Sequence, residues 1–191
     1  MRSKDERKIE RIYNASLELI SENGMAGLVM SKLAKKAGLA TGTLYIYFKN
    51  KEELLHQLYL KLRRESQERF MKGYNPEAPF KMGIKQVWIN YLKHRIHHYR
   101  ESVFLEQYYR SPYITEEHRQ MAEEMKRPVH NIIQRGKNEG LIKDQFDNEM
   151  IFLSLIGFIR ELADEHVTKV YRLSEEKIEQ AFELSWDTIK K

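Results

Sequence analysis

Three observations predict an all-α chain. Apolar residues recur at i, i+3, i+4, i+7 along nearly the whole length, the spacing of one helix face. Only four Pro and nine Gly interrupt 191 residues, charged residues make up 32%, and no repeat or low-complexity segment appears. Between Gly24 and Leu55, two short apolar-periodic segments flank a tight turn that contains a glycine.

Taken in order, the first helix is expected from about Asp5 to Asn23, with Ile9, Ile12, Tyr13, Ser16, Leu17, Leu19 and Ile20 turned inward and Gly24 closing it. In the next segment Met30, Leu33, Ala34 and Ala37 form one buried stripe, with Ala34 small where two helices approach. Gly38 takes the left-handed position that ends such a helix, and Leu39 carries the chain inward. The third helix, from Thr41 to Phe48, buries Leu44 and Phe48, four residues apart, and leaves Thr41, Gly42, Thr43, Ile46 and Tyr47 on or near its outward side. A helix this short gains its stability from docking. Asn50 reads as the next N-cap, with Glu53 as its capping-box partner and Lys51 in a first turn that already favours an anion. This layout is a helix-turn-helix, which places its second helix in DNA.

The run Gly38-Leu39-Ala40-Thr41-Gly42-Thr43-Leu44-Tyr45-Ile46-Tyr47-Phe48-Lys49-Asn50-Lys51-Glu52-Glu53-Leu54 resembles the TetR/AcrR family of bacterial transcriptional regulators, whose pattern is roughly AGVSKGTLYYHFKSKEEL. The resemblance covers about a quarter of the chain. It implies an N-terminal three-helix helix-turn-helix DNA-binding domain followed by a C-terminal helical bundle that binds a ligand and dimerises. Carried over position by position, it makes Thr41, Gly42, Thr43 and Tyr47 candidate base contacts, and Tyr45 and Lys51 candidate phosphate contacts. Three positions depart from the pattern. Leu28 and Val29 stand where the family has a capping Ser or Thr, so either Ser31 caps one turn later or the end is uncapped. Ala40 replaces Ser, and Thr41 replaces a Lys that could pair with a guanine edge. Readout by Thr, Ile and Tyr would lean on thymine methyls and single hydrogen bonds.

Charge supports an N-terminal polyanion-binding module. Residues 1–72 hold 15 Lys and Arg against 9 Asp and Glu, whereas residues 73–191 hold 18 against 19. Arg2, Lys4, Arg7 and Lys8 either touch the DNA backbone or form a frayed basic end. Zero Cys rules out disulfide and thiolate chemistry and, with no 18-residue apolar run, leads to the expectation of a soluble cytoplasmic protein with no membrane partner.

The fourth helix, from Lys51 to about Lys72, carries Leu54, Leu55, Leu58, Tyr59, Leu62 and Ser66 as a stripe and is the expected transmission element. The segment Gly73-Tyr74-Asn75-Pro76-Glu77-Ala78-Pro79 breaks it. The domains are therefore set at 1–49 for DNA binding and 50–191 for sensing and dimerisation, connected by the helix over 51–72. Further helices are expected at about Phe80–Tyr99, Ser102–Arg110, Thr115–Lys137 (kinked at Pro128), Asp147–Val170 and Ser174–Lys190.

In the helix from Asp147, apolar residues go nearly all the way round, and Gly157 among them suggests close helix approach. In the resembled family the last two helices meet their two-fold mate as a four-helix bundle. Phe152, Leu155, Phe158, Ile159, Phe182 and Trp186 are the interface residues expected on that basis, and a homodimer reading a palindromic double-stranded DNA operator follows. Trp88, Tyr91, Phe104, Tyr108, Met121 and Met125 supply aromatic and soft side chains on the helices that line the family's effector pocket; the same stripe also reads as ordinary core. A ligand there would be apolar or aromatic.

His94 and His98 share a helix face with metal-ligand spacing, near His97 and Glu101, but no second HxxxH or HExxH motif accompanies them. No metal and no cofactor is predicted. With no Gly-rich phosphate loop, GxSxG motif or Cys nucleophile, no catalytic residue is expected either. The reading is a ligand-responsive regulator, most simply a repressor released by a small-molecule effector.

Overall fold

The computed structural model describes residues 4–191, and helix is the only regular element among them. Helices α1 (Lys4–Asn23), α2 (Met30–Lys36), α3 (Thr41–Tyr47), α4 (Lys51–Phe70), α5 (Phe80–His97), α6 (Tyr99–Tyr109), α7 (Glu116–Asn138), α8 (Asn148–Val167) and α9 (Glu175–Ile189) follow the expected order within a few residues at each end. The helix α7 runs through Pro128. An isolated bridge pairs Ile142 with Lys190 and ties the chain's end to the α7–α8 connection.

Backbone contacts divide the chain into two compact units, one holding the described residues up to Glu65 with Arg100–Arg119, the other Ser66–Tyr99 with Gln120–Lys191. The boundary expected at residue 49 is thus not where the packing divides. The stripe Leu54, Leu55, Leu58, Tyr59 and Leu62 of α4 and the α6 residues Phe104, Leu105 and Tyr108 are buried in one cluster with Ile12, Ile20, Leu33, Leu44 and Phe48. Periodicity finds these faces but does not say which partner each face meets.

Within this first unit, Tyr59 and Tyr108 stack at 4.5 Å. The Tyr108 hydroxyl donates to the Tyr113 carbonyl at 2.9 Å, so His118 Nδ1, 3.1 Å away, acts as its donor. Thr115 Oγ1 accepts from the His118 N–H and caps α7.

In the second unit α5 packs against α8 and α9, burying Phe80, Ile84, Val87, Trp88 and Leu92 with Ile151, Leu155, Ile159 and Phe182. Gly136 is the close-approach glycine: a Cβ there would lie 2.4 Å from Phe80 Cζ and 2.7 Å from Ile142 Cδ1. Gly157, expected in that role, is exposed, and apart from its own helix backbone nothing in the chain lies within 4 Å of where a Cβ would stand.

His94 is buried beside Ser66, whose Oγ lies 3.3 Å from His94 Nε2, with the Phe70 ring edge-on and the His98 ring stacked at 5.0 Å. Burial, reinforced by the neighbouring charges of His98, Arg69 and Arg95, pushes its pKa down to about 3. Arg95 itself is buried and bound to Asp164 at 2.9 Å.

Two predictions follow from this packing. Because His94 stays neutral when folded and takes a proton near pH 6.5 when unfolded, stability is unaffected above that pH. It falls below it by about 1.4 kcal/mol at pH 5.5. Urea unfolding at pH 7.5 and 5.5 checks this, and His94→Gln should flatten the dependence. Gly136→Ala should lower the unfolding free energy by about 1–3 kcal/mol through overpacking, which urea unfolding at pH 7.5 also reads.

Candidate nucleic-acid interface

The short helix α3 owes its place to its neighbours. Ala40 and Phe48 flank it and no side chain caps its N-terminus. Leu44 and Phe48 are fully buried, the latter with its ring 5.7 Å from that of Tyr13. The turn before it is held from α1: the Arg11 guanidinium donates to the carbonyl oxygens of Ala37 and Gly38. Gly38 takes the left-handed conformation at φ 65° that the helix end requires. At the N-terminus of α2, Val29 occupies the cap position and no side chain, Ser31 included, provides a cap bond.

On the far side, Asn50 Oδ1 accepts from the Glu53 N–H at 2.8 Å and the Glu53 carboxylate accepts from the Lys49 N–H at 2.6 Å. The reciprocal bond thus lands one residue earlier than in a standard capping box.

With Leu44 and Phe48 inward, Thr41, Gly42, Tyr45 and Ile46 are exposed and Thr43 is half-buried. Ile46 is 79% exposed, the most exposed large hydrophobic side chain among the described residues. The other two candidate contacts are tied within the protein. The Tyr47 hydroxyl donates to Asp5 at 2.7 Å and accepts from Lys8 at 3.2 Å, and this bond holds the Lys8 pKa above its ordinary value. Lys51 Nζ donates to the Met25 carbonyl at 2.7 Å and sits over the Tyr113 ring. Spacing along α3 and the start of α4 could not show either tie, because both partners come from distant sequence. Arg7 is exposed; Arg2 and the side chain of Lys4 lie outside what is described.

The six residues expected around an effector divide between the units. Phe104 and Tyr108 are buried in the first unit's core, and Tyr108 also lines an open cleft of about 840 Å³ with Glu52, His56 and Tyr113. Trp88 and Tyr91 line an apolar slot of the second unit with Val129, Phe152, Leu155 and Ile159, and half-buried Met121 and Met125 line neither. Of the expected interface residues, Leu155, Ile159 and Phe182 are buried inside their own unit. Phe152, Phe158 and Trp186 are half-buried, and the outward face of α8 instead carries Met150, Leu153, Ser154 and Gly157.

No helix of the described residues is long and apolar enough to cross a membrane. Among these residues no group of three His, Cys, Asp or Glu is placed to hold a metal.

Residues 12–58 match the family described as bacterial regulatory proteins, tetR family, and residues 79–190 match a tetracyclin repressor-like C-terminal domain. An uncharacterized HTH-type transcriptional regulator of Haemophilus influenzae is 38% identical over 81 residues, a stretch that spans 42% of this chain and 43% of the relative. A putative TetR-family transcriptional regulator from Vibrio parahaemolyticus is 31% identical, with 95% of this chain and 98% of that one covered and a TM-score of 0.74. The regulator FadR of Bacillus subtilis, solved in complex with stearoyl-CoA, is 26% identical over 92% of this chain and 96% of its own, with a TM-score of 0.69. The relatives are transcriptional regulators, and this chain, with its N-terminal helix-turn-helix, belongs to the TetR family of bacterial transcriptional regulators.

Proposed function

We propose that the protein is a ligand-responsive repressor that binds a palindromic DNA operator as a homodimer and leaves it when a small apolar or aromatic effector binds the second unit. The observation that carries the DNA-reading half is α3 itself, a docked helix whose outward face presents Thr41, Gly42, Tyr45 and the apolar Ile46. Thr41, Gly42 and Thr43 contact base edges, Ile46 meets a thymine methyl and Tyr45 meets a phosphate. Tyr47 and Lys51 join them only by exchanging their bonds to Asp5 and Met25 for bonds to DNA.

Two recognition helices reading half-sites one turn of DNA apart, about 34–36 Å, require a two-fold dimer. The exposed stripe Met150, Leu153, Ser154 and Gly157 supports α8 as its seam, because small residues there let a second helix approach over an apolar face. Helix α4, with residues 51–65 in one unit and 66–70 in the other, is the element through which an effector alters the spacing of the recognition helices. The effector acts by binding one of the two spacings more tightly. The Bacillus relative solved with stearoyl-CoA supports an apolar effector.

Selection of bound fragments from a genomic library, followed by titration of the recovered site, tests the reading. A single palindromic site is expected. Ile46→Ala should weaken that site about fivefold while leaving bulk DNA affinity unchanged; equal loss on both would remove Ile46 from base readout. For the dimer, Leu153→Arg should halve the mass seen by light scattering at micromolar concentration and abolish operator binding. A variant that keeps the wild-type mass would move the seam away from α8.

A further inference from the structure

The last residue of α3 is fastened to the first turns of α1. The Tyr47 hydroxyl donates to Asp5 Oδ1 at 2.7 Å and accepts from Lys8 Nζ at 3.2 Å, and Lys8 Nζ lies 3.7 Å from the same carboxylate oxygen. The three groups close a ring in which a negative and a positive charge share one hydroxyl. Its acidic member is open to solvent: the Asp5 side chain is 70% exposed, against 28% for Lys8. Arg7 beside Lys8 and Lys49 two residues past Tyr47 are exposed as well, as are Tyr45 and Ile46.

A phenol has a single proton to give. While Asp5 holds it, Tyr47 has none for an acceptor on DNA, and a charged acceptor is held more strongly than a neutral one. The carboxylate also offsets the Lys8 charge at short range and repels any phosphate that approaches. The tie of Lys51 differs, because its acceptor is the neutral Met25 carbonyl, which sets no charge against DNA.

We propose that Asp5 stands in for a DNA phosphate in the free protein, holding the Tyr47 hydroxyl and the Lys8 ammonium until duplex DNA takes both from it. Asp5 thereby lowers affinity for all DNA and leaves the choice of sequence to the exposed face of α3. A backbone phosphate makes the same demand as the carboxylate, an anionic oxygen that accepts from one O–H and one ammonium, and Lys8 has three protons with which to answer it. This rests on the DNA-reading half of the function above and adds to it the internal competitor that DNA displaces.

The test measures binding of the full protein to the recovered operator and to a random-sequence duplex of equal length, over salt concentrations of about 50 to 200 mM. Asp5→Asn keeps the size of the side chain and removes its charge. It should tighten both duplexes about fivefold at the lowest salt, leave the ratio between them unchanged, and steepen the log-log salt dependence by about 0.9 for each chain bound. Lys8→Gln should weaken both and flatten that dependence. In a Tyr47→Phe background the gain from Asp5→Asn should fall below about twofold, because the hydroxyl that holds the carboxylate in place is gone. A gain of equal size with and without that hydroxyl would reduce Asp5 to general surface charge and overturn the proposal. Weaker or unchanged binding by Asp5→Asn would overturn it as well, since the ring would then be a brace that the DNA-bound protein keeps. In these cases a wild-type protein that binds duplex DNA leaves the DNA reading standing, whereas one that binds neither duplex at any salt removes both.

Discussion

Burial of Leu44 and Phe48 is the constraint on which the DNA-reading half of this protein depends. A seven-residue helix nucleates at a cost of about 4 kcal/mol, and Gly42 and the β-branched Thr41, Thr43 and Ile46 add to it. Full burial of a leucine and a phenylalanine returns about 3–6 kcal/mol, enough to offset nucleation only because both side chains are completely covered. Every other feature of the motif serves that docking. Arg11 gathers the carbonyl oxygens at the end of α2, Gly38 turns the chain without strain, and Asn50 with Glu53 restarts the helix that follows. The outward residues of α3 are thereby free of structural duty. That is why an isoleucine can stand almost wholly in water there.

The first unit extends this economy beyond the three N-terminal helices. Most of α4 and the α6 residues Phe104, Leu105 and Tyr108 share one core with them, so the surface that meets DNA is built on five helices rather than three. Through the stacked Tyr59 and Tyr108 and the buried His118, the end of α6 and the start of α7 are fastened to α4. A polar network of this kind holds one arrangement well and others poorly.

The second unit solves a different problem. Its principal helices α5 and α8 bury branched aliphatic and aromatic side chains against each other, and Gly136 lets Phe80 and Ile142 pack where a methyl group would not fit. Between these surfaces lies a slot that packing leaves unfilled and lines without charge.

From the sequence alone came the class, the order of the helices and the family, because helical periodicity, turn glycines and the run from Gly38 to Leu54 are local signals. The inward pair Leu44 and Phe48 was legible for the same reason: a four-residue spacing has one meaning on a helix. Tertiary structure alone decided what depends on partners distant in the chain. It tied Tyr47 to Asp5 and Lys51 to Met25, and it drew α6 into the core of the first unit. It also turned Leu155 and Ile159 inward while leaving Leu153 and Gly157 outside. A helix that is apolar all round does not record which arc faces its own core, since hydrophobicity has magnitude but no address. Only the positions of the neighbouring helices supply one.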